Sequence, residues 1–252
     1  MTSRRGPPSA LAVLGASLGA AWLAACTEPE PEPAPTSATA TASDPSTAAE
    51  TLPAGEPASV PAAPRPVTGP QTLDPVAAGI GAPAPDVGLF FQSLDGVDLE
   101  PTTLQALCRD GSGVVVLFTT LRCPVSRLYA PSFGERARRW AERGVRTVVV
   151  DPDPKDGPGL AERASEQEWP TRVVHDADRK VAVALGATRT TEALLLDRDG
   201  VVRYRGAIDD QYGLGDRRPA PTATYLEDAV KALLDGGPIL PAATSAPGCL
   251  FR

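Results

Sequence analysis

Apolar positions divide the chain into three regimes. Residues 10–25 are small and apolar almost without interruption, residues 26–78 carry few large apolar side chains, and from about residue 79 short apolar runs alternate with amphipathic stretches. The third regime predicts a folded domain over 79–236 and a tail, 237–252, that carries Cys249. Leu89-Phe90-Phe91 predicts a first strand, Asp95-Gly96 a turn, and 102–107 a short helix. Val114-Val115-Val116-Leu117-Phe118 is continuous and largely β-branched, the pattern of a strand buried on both faces. Over 124–143, Val125, Leu128, Tyr129, Phe133, Ala137, Trp140 and Ala141 recur at helical spacing, and Gly144 stops the helix. Thr147-Val148-Val149-Val150 predicts a second buried strand, followed by short helices at 160–168 and 180–185. Residues 193–196 and 201–204 flank Asp197-Arg198-Asp199-Gly200 as a hairpin. A helix at 224–235 opens with Thr224 and Glu227 spaced as a capping box. Strands alternating with helices first and a hairpin late predict an α/β fold with a mixed central sheet flanked by helices.

The two N-terminal regimes change the picture of where such a domain works. Arg4 and Arg5 precede the apolar stretch, which is too short to span a bilayer but suits a secretion signal. It ends Leu23-Ala24-Ala25-Cys26, which resembles the bacterial lipobox. That resemblance implies a lipoprotein signal peptide over 1–25, lipidation of Cys26, and export to the periplasmic or cell-surface side of a bacterial membrane. Residues 26–78 are rich in Pro, Ala and Thr and cannot bury a core, so they predict a disordered, extended linker. Seven carboxylates against one arginine within 27–75 account for most of the chain's net charge of −7. The domain itself is near neutral and has no basic run, which excludes nucleic acid as a partner.

Four cysteines are present, and Cys108, Cys123 and Cys249 remain once Cys26 is assigned to the lipid. Cys123 stands where a buried strand hands over to a helix, whose N-terminal N–H groups favour a thiolate. Arg122 adds a cation and Pro124 suits the first helical position. Cys108 shares an apolar helical spacing with Leu104 and Leu107, as expected of a packed, inert thiol. His175 is the single histidine and follows Val173-Val174 as a strand-end residue. One histidine and scattered thiols do not make a zinc or copper site. Neither a phosphate loop nor a serine-hydrolase elbow is present, and no cofactor is expected.

Phe118-Thr119-Thr120-Leu121-Arg122-Cys123-Pro124-Val125-Ser126, with Pro131 eight residues after the cysteine, resembles the active-site strand and helix of thioredoxin-like proteins. The 81–86 lead-in, the 197–200 hairpin turn, Arg205-Gly206-Ala207-Ile208-Asp209-Asp210 and Gly248-Cys249-Leu250 resemble the redoxin branch, alkyl hydroperoxide reductase/thiol-specific antioxidant or peroxiredoxin-like. The resemblance implies a thioredoxin-like fold and a thiol oxidoreductase that reduces peroxide or a protein disulfide through Cys123, with an external thiol as reductant. It departs from the dithiol pattern at Ser126, which can donate a hydrogen bond to a thiolate but cannot resolve a mixed disulfide. Against the peroxiredoxin pattern Pro-x-x-x-Thr-x-x-Cys, Thr120 matches and Val116 replaces the proline. Thr191 falls where thioredoxins place a cis-proline, and Arg189 either helps hold a peroxide or thiolate or is a solvated surface arginine. The second hairpin strand returns toward Cys123, so Asp209, Asp210 and Tyr212 are expected either at the rim of the site or in a plain loop. Cys249 is the expected redox partner of Cys123, carried back by an extended tail that Pro238, Pro241 and Pro247 keep from continuing the helix. Two alternatives stay open: a one-cysteine thiol–disulfide oxidoreductase without peroxidase activity, and a non-catalytic binding module that kept the fold.

Overall fold

The apolar run at the centre of the domain becomes β3 (Gly113–Phe118), buried along its whole length. Because both its faces are apolar, it takes an interior place in a sheet. β4 (Val145–Asp151) pairs with it in parallel on one side and β6 (Ala193–Asp197) antiparallel on the other. β5 (Val173–His175) continues beyond β4, and β7 (Val202–Gly206) pairs antiparallel with β6, giving the order β5-β4-β3-β6-β7. A separate two-stranded ribbon joins β1 (Gly88–Leu89) and β2 (Thr102–Thr103). This computed structural model describes residues 69–93, 99–167, 169, 172–213, 215 and 217–251. The expected signal peptide 1–25, Cys26, linker residues 26–68 and the Asp95-Gly96 turn lie outside the described residues.

Side-chain alternation along the strands divides the interior into two layers. Val115 and Leu117 of β3 join Val145 and Val149 of β4 and Leu195 of β6 on one face. That face is covered by α2 (Pro124–Glu142), α3 (Gly157–Glu166) and α5 (Tyr225–Asp235). Val114, Val116, Phe118, Val148, Val150, Leu194 and Leu196 face the other way, under α1 (Leu104–Arg109) and α4 (Lys180–Ala184). This is the mixed α/β sandwich expected from the hydrophobic pattern. Cys123 is the N-cap of α2, at the strand-to-helix junction. Cys108 is fully buried in the α1 layer.

Two local expectations change. The capping box at Thr224 does not form: its hydroxyl bonds Asp228 Oδ2 at 3.0 Å, while Glu227 accepts the Trp140 indole N–H at 3.1 Å. A buried indole needs an acceptor, and that demand outweighs an exposed cap. The folded unit also reaches further back than residue 79. Leu73 N donates to Ala243 O at 3.0 Å and Ser245 N to Gln71 O at 2.8 Å. The tail segment is in turn bonded to β7, through Arg205 N to Ala242 O and Thr244 N to Arg205 O. Residues 71–73 thus ride on the tail through main-chain pairing, which leaves no mark on side-chain composition. Thr244 secures this edge from within, its hydroxyl meeting Tyr204 Oη at 2.8 Å and accepting from Ala207 N at 3.0 Å.

Candidate active site

After β3 the chain makes one irregular turn before α2, and this turn sets Cys123 beneath the tail. Cys123 N–H bonds Thr120 O at 3.4 Å, and Thr119 N–H bonds Val150 O of β4 at 2.9 Å. Asp156, just before α3, accepts the Leu121 N–H at 2.6 Å and meets Arg122 Nε at 3.4 Å. Arg122 also pairs with Asp153. Its charge is therefore directed to those two carboxylates rather than to the cysteine, contrary to the expectation for Arg122.

The thiol of Cys249 lies 2.9 Å from that of Cys123. Thr190, immediately before β6's lead-in, links them: its hydroxyl donates to Cys123 Sγ at 2.9 Å and accepts from Cys249 N at 2.8 Å. Main-chain pairing continues on both sides, with Thr190 N donating to Cys249 O and Phe251 N to Thr188 O, each at 2.9 Å. Gly248 is required there, since a Cβ at that position would lie 1.9 Å from Thr190 O. Phe251 then packs against Phe118, with ring centroids 6.0 Å apart. Arg189 donates to Gly248 O at 3.2 Å, so it holds the tail rather than a peroxide or open solvent.

Burial would raise the Cys123 pKa, but hydrogen bonds from the Cys249 thiol, the Thr190 hydroxyl and the Ser126 backbone N–H outweigh it and bring the pKa down to about 7. Cys249 moves the other way, to about 11, through burial and then its interaction with Cys123. The pair thus gives up its first proton from Cys123. Burial, followed by the charge of Asp197, pushes Cys108 up to about 11, which disfavours its thiolate. Ser126 serves the site through its backbone; its buried hydroxyl has no hydrogen-bond partner among the described residues.

Thr191 has a trans peptide and a positive φ of 59°, an outlying conformation for a β-branched residue that costs on the order of 1–3 kcal/mol. Its N–H bonds Phe118 O at 2.7 Å, and the turn it makes presents Thr190 to the two thiols. The expected rim residues have other partners. Asp209 is buried between Tyr129 and Arg136, the latter at 2.8 Å. Asp210 ties the 210–223 loop through Thr222 N and Ala223 N, and Tyr212 stacks edge-on against Tyr129. None of the three lines the groove that opens onto Cys123. A polar loop residue and a rim residue look alike in sequence; the buried Tyr129 hydroxyl and Arg136 claim Asp209, and Thr222, Ala223 N and Arg218 claim Asp210. Thr190 and Asp156 were missed. The signals were present: Thr190 adjoins the counted cis-proline position, and Asp156 follows the C-terminal end of a strand parallel to the one feeding Cys123.

A family model described as AhpC/TSA matches residues 80–205, half of the chain. The chain belongs to the AhpC/TSA family. No curated protein sequence matches it. Among solved structures, an uncharacterised conserved protein from Geobacillus kaustophilus is 24% identical, with a TM-score of 0.60 over 75% of this chain and 97% of that one. A hypothetical protein from Sinorhizobium meliloti 1021 is 24% identical, with a TM-score of 0.58 over 73% and 96%. A putative thiol:disulfide interchange protein from Chlorobium tepidum is 22% identical, with a TM-score of 0.49 over 62% and 97%. The family match and the first two of these structures show the thioredoxin-like fold of the AhpC/TSA domain.

Two predictions follow from these electrostatics. Thr190→Val removes a hydrogen bond to the thiolate, worth about 1.5–3 kcal/mol for a charged acceptor, so the pH midpoint of iodoacetamide alkylation at Cys123 rises by roughly one pH unit or more. Thr190→Ser keeps the midpoint. The second concerns Asp151, fully buried at the end of β4 and raised to about 8 by burial, with Asp156 and Asp153 adding repulsion. Its carboxyl ionises near 3.8 when unfolded and near 8 when folded, so across that window the folded state holds the extra proton. Stability should therefore fall as pH rises through the window, by up to about 1.4 kcal/mol per pH unit, and level off above it. Urea denaturation of Asp151→Asn at a series of pH values should lack this fall.

Proposed function

We propose that this AhpC/TSA chain is an extracytoplasmic thiol oxidoreductase that reduces a peroxide through Cys123 and resolves the product with Cys249. The observation that carries the reading is the 2.9 Å approach of the Cys249 thiol to a Cys123 thiol that surrounding hydrogen bonds hold toward the thiolate. The thiolate attacks the distal peroxide oxygen: an S–O bond forms, the O–O bond breaks, and the departing alkoxide or hydroxide takes up a proton. The resulting sulfenic acid is attacked by Cys249, whose thiol proton leaves with the hydroxyl as water while the Cys123–Cys249 disulfide forms. An external thiol then returns the pair to the reduced state.

A small oxidant suits the site better than a protein disulfide. Cys123 is only 3% exposed, at the base of a groove of about 440 Å³, and the tail is paired along 188–190 beside it. A folded partner's disulfide reaches Cys123 only after that pairing is broken. A non-catalytic binding module has no use for two thiols at this distance with separated pKa values. The Leu23 to Cys26 motif and the 26–78 composition support a lipid-anchored, exported protein.

Peroxide consumption with a thiol reductant tests the reading. Cys123→Ser should abolish turnover. Cys249→Ser should still consume about one equivalent of peroxide and then stop at the sulfenic acid, captured by dimedone. Peptide mapping of peroxide-treated native protein should recover a Cys123–Cys249 link; continued turnover of Cys123→Ser would end the proposal. For the anchor, mass spectrometry of the protein from bacterial membranes should find an acylated Cys26 as the first residue, and an unmodified Cys26 would refute it.

A further inference from the structure

The groove that opens onto the thiol pair is not symmetric toward its two sulfurs, and its charge is not balanced. We propose that the reductant is a low-molecular-weight thiol carrying a negative charge, which enters between Lys155 and Arg179 and attacks the sulfur of Cys249. The inference rests on the proposed disulfide between Cys123 and Cys249.

The charge argument comes from pairing. Arg122, which lines the groove, is held by Asp153 in the groove and by Asp156 behind it, so those three groups leave one negative charge. Lys155 and Arg179 also line it; Lys155 offsets part of the Asp153 charge, and the two cations together outweigh what remains. Lys155 is exposed on the turn before α3, and Arg179 is half-buried at the start of α4. The groove thus carries more positive than negative charge, with Asp153 shared between Arg122 and Lys155, and its tail side is apolar, formed by Leu250 and Phe251. A cleft of about 440 Å³ is in the range of small-ligand sites, so it accommodates a thiol of small-peptide size. Local cations raise the concentration of an anionic thiolate at its target.

The choice of sulfur follows from burial and leaving-group chemistry. Both thiols line the groove, but Cys123 is buried against Thr190 and the α2 terminus, whereas Cys249 is half-buried on the tail and is the more accessible sulfur. The thiolate of the small reductant forms a new S–S bond to Cys249, the Cys123–Cys249 bond breaks, and the electron pair leaves on Cys123. The Thr190 hydroxyl and Ser126 N–H are already placed to stabilise that departing thiolate. The lower pKa of Cys123 makes it the better leaving group of the two. A second reductant thiolate attacks the mixed disulfide, releasing the small disulfide, and Cys249 takes a proton from water. Two reductant thiols are oxidised and one protein disulfide is reduced.

The test uses the full-length protein, oxidised with peroxide and first mapped for its Cys123–Cys249 link. Absence of the link would overturn the proposed function and this inference with it. With the link present, reduction by 2-mercaptoethanesulfonate is compared with that by cysteamine at equal thiolate concentration. The sulfonate should react faster by about tenfold or more at low salt, and the preference should shrink as salt is added. The ratio should collapse in Lys155→Glu/Arg179→Glu; should that variant not fold, Lys155→Glu alone, at an exposed turn, should lower it several-fold. Acid quenching followed by alkylation should place the first sulfonate adduct on Cys249 and the alkyl group on Cys123. An adduct on Cys123, a ratio indifferent to charge reversal, or faster reduction by a protein dithiol that ignores the reversal would each overturn the proposal.

Discussion

One hydroxyl group holds the reactive arrangement together. Thr190 Oγ1 donates to Cys123 Sγ and accepts from the Cys249 main chain, so a single side chain both favours the thiolate of one cysteine and positions the other. Cys249 is distant in sequence and has no packed helix or strand of its own to place it. The Thr190 link, the flanking main-chain bonds and the space left by Gly248 do so instead. The outlying backbone of Thr191 belongs to the same device: the 188–190 segment must turn toward the tail before entering β6, and a local strain of on the order of 1–3 kcal/mol is small beside the packing of the sheet it joins.

The tail is held at two separate points, and this division suits redox chemistry. Around Thr244 it is bonded to β7 and to the segment at 71–73, buried and insensitive to what the thiols do. From Gly248 onward it rests on a few main-chain bonds and the Phe251–Phe118 contact. Segments held by few buried contacts open at low free-energy cost.

Carboxylates around the site work mainly on structure. Asp156 takes the Leu121 N–H, Asp153 and Asp156 together hold Arg122, and Asp209 closes a buried contact with Tyr129 and Arg136. This leaves thiolate stabilisation to neutral donors, the Cys249 thiol, the Thr190 hydroxyl and the backbone N–H groups of Ser126 and Cys249. Neutral donors favour the charged form of sulfur without attracting an anion to it. The cations of the groove are Arg122, held by Asp153 and Asp156, and Lys155 and Arg179, and none of them hydrogen-bonds either thiol among the described residues.

What the sequence by itself determined follows from patterns that are local. The unbroken apolar run of β3 placed it inside a sheet, the helical spacing from Val125 to Trp140 defined α2, and their junction located Cys123. Pro238, Pro241 and Pro247 are enough to expect an extended tail after α5. Those features depend on each segment's own side chains. What only the tertiary structure decided depends on pairs of distant residues: that Glu227 serves Trp140 rather than its own helix cap, that Arg122 turns to Asp153 and Asp156, that residues 71–73 ride on the tail, and that Thr190 stands between the two thiols. Main-chain pairing and competition for a buried donor or acceptor leave no periodicity in a sequence, because the partner is chosen by proximity after folding.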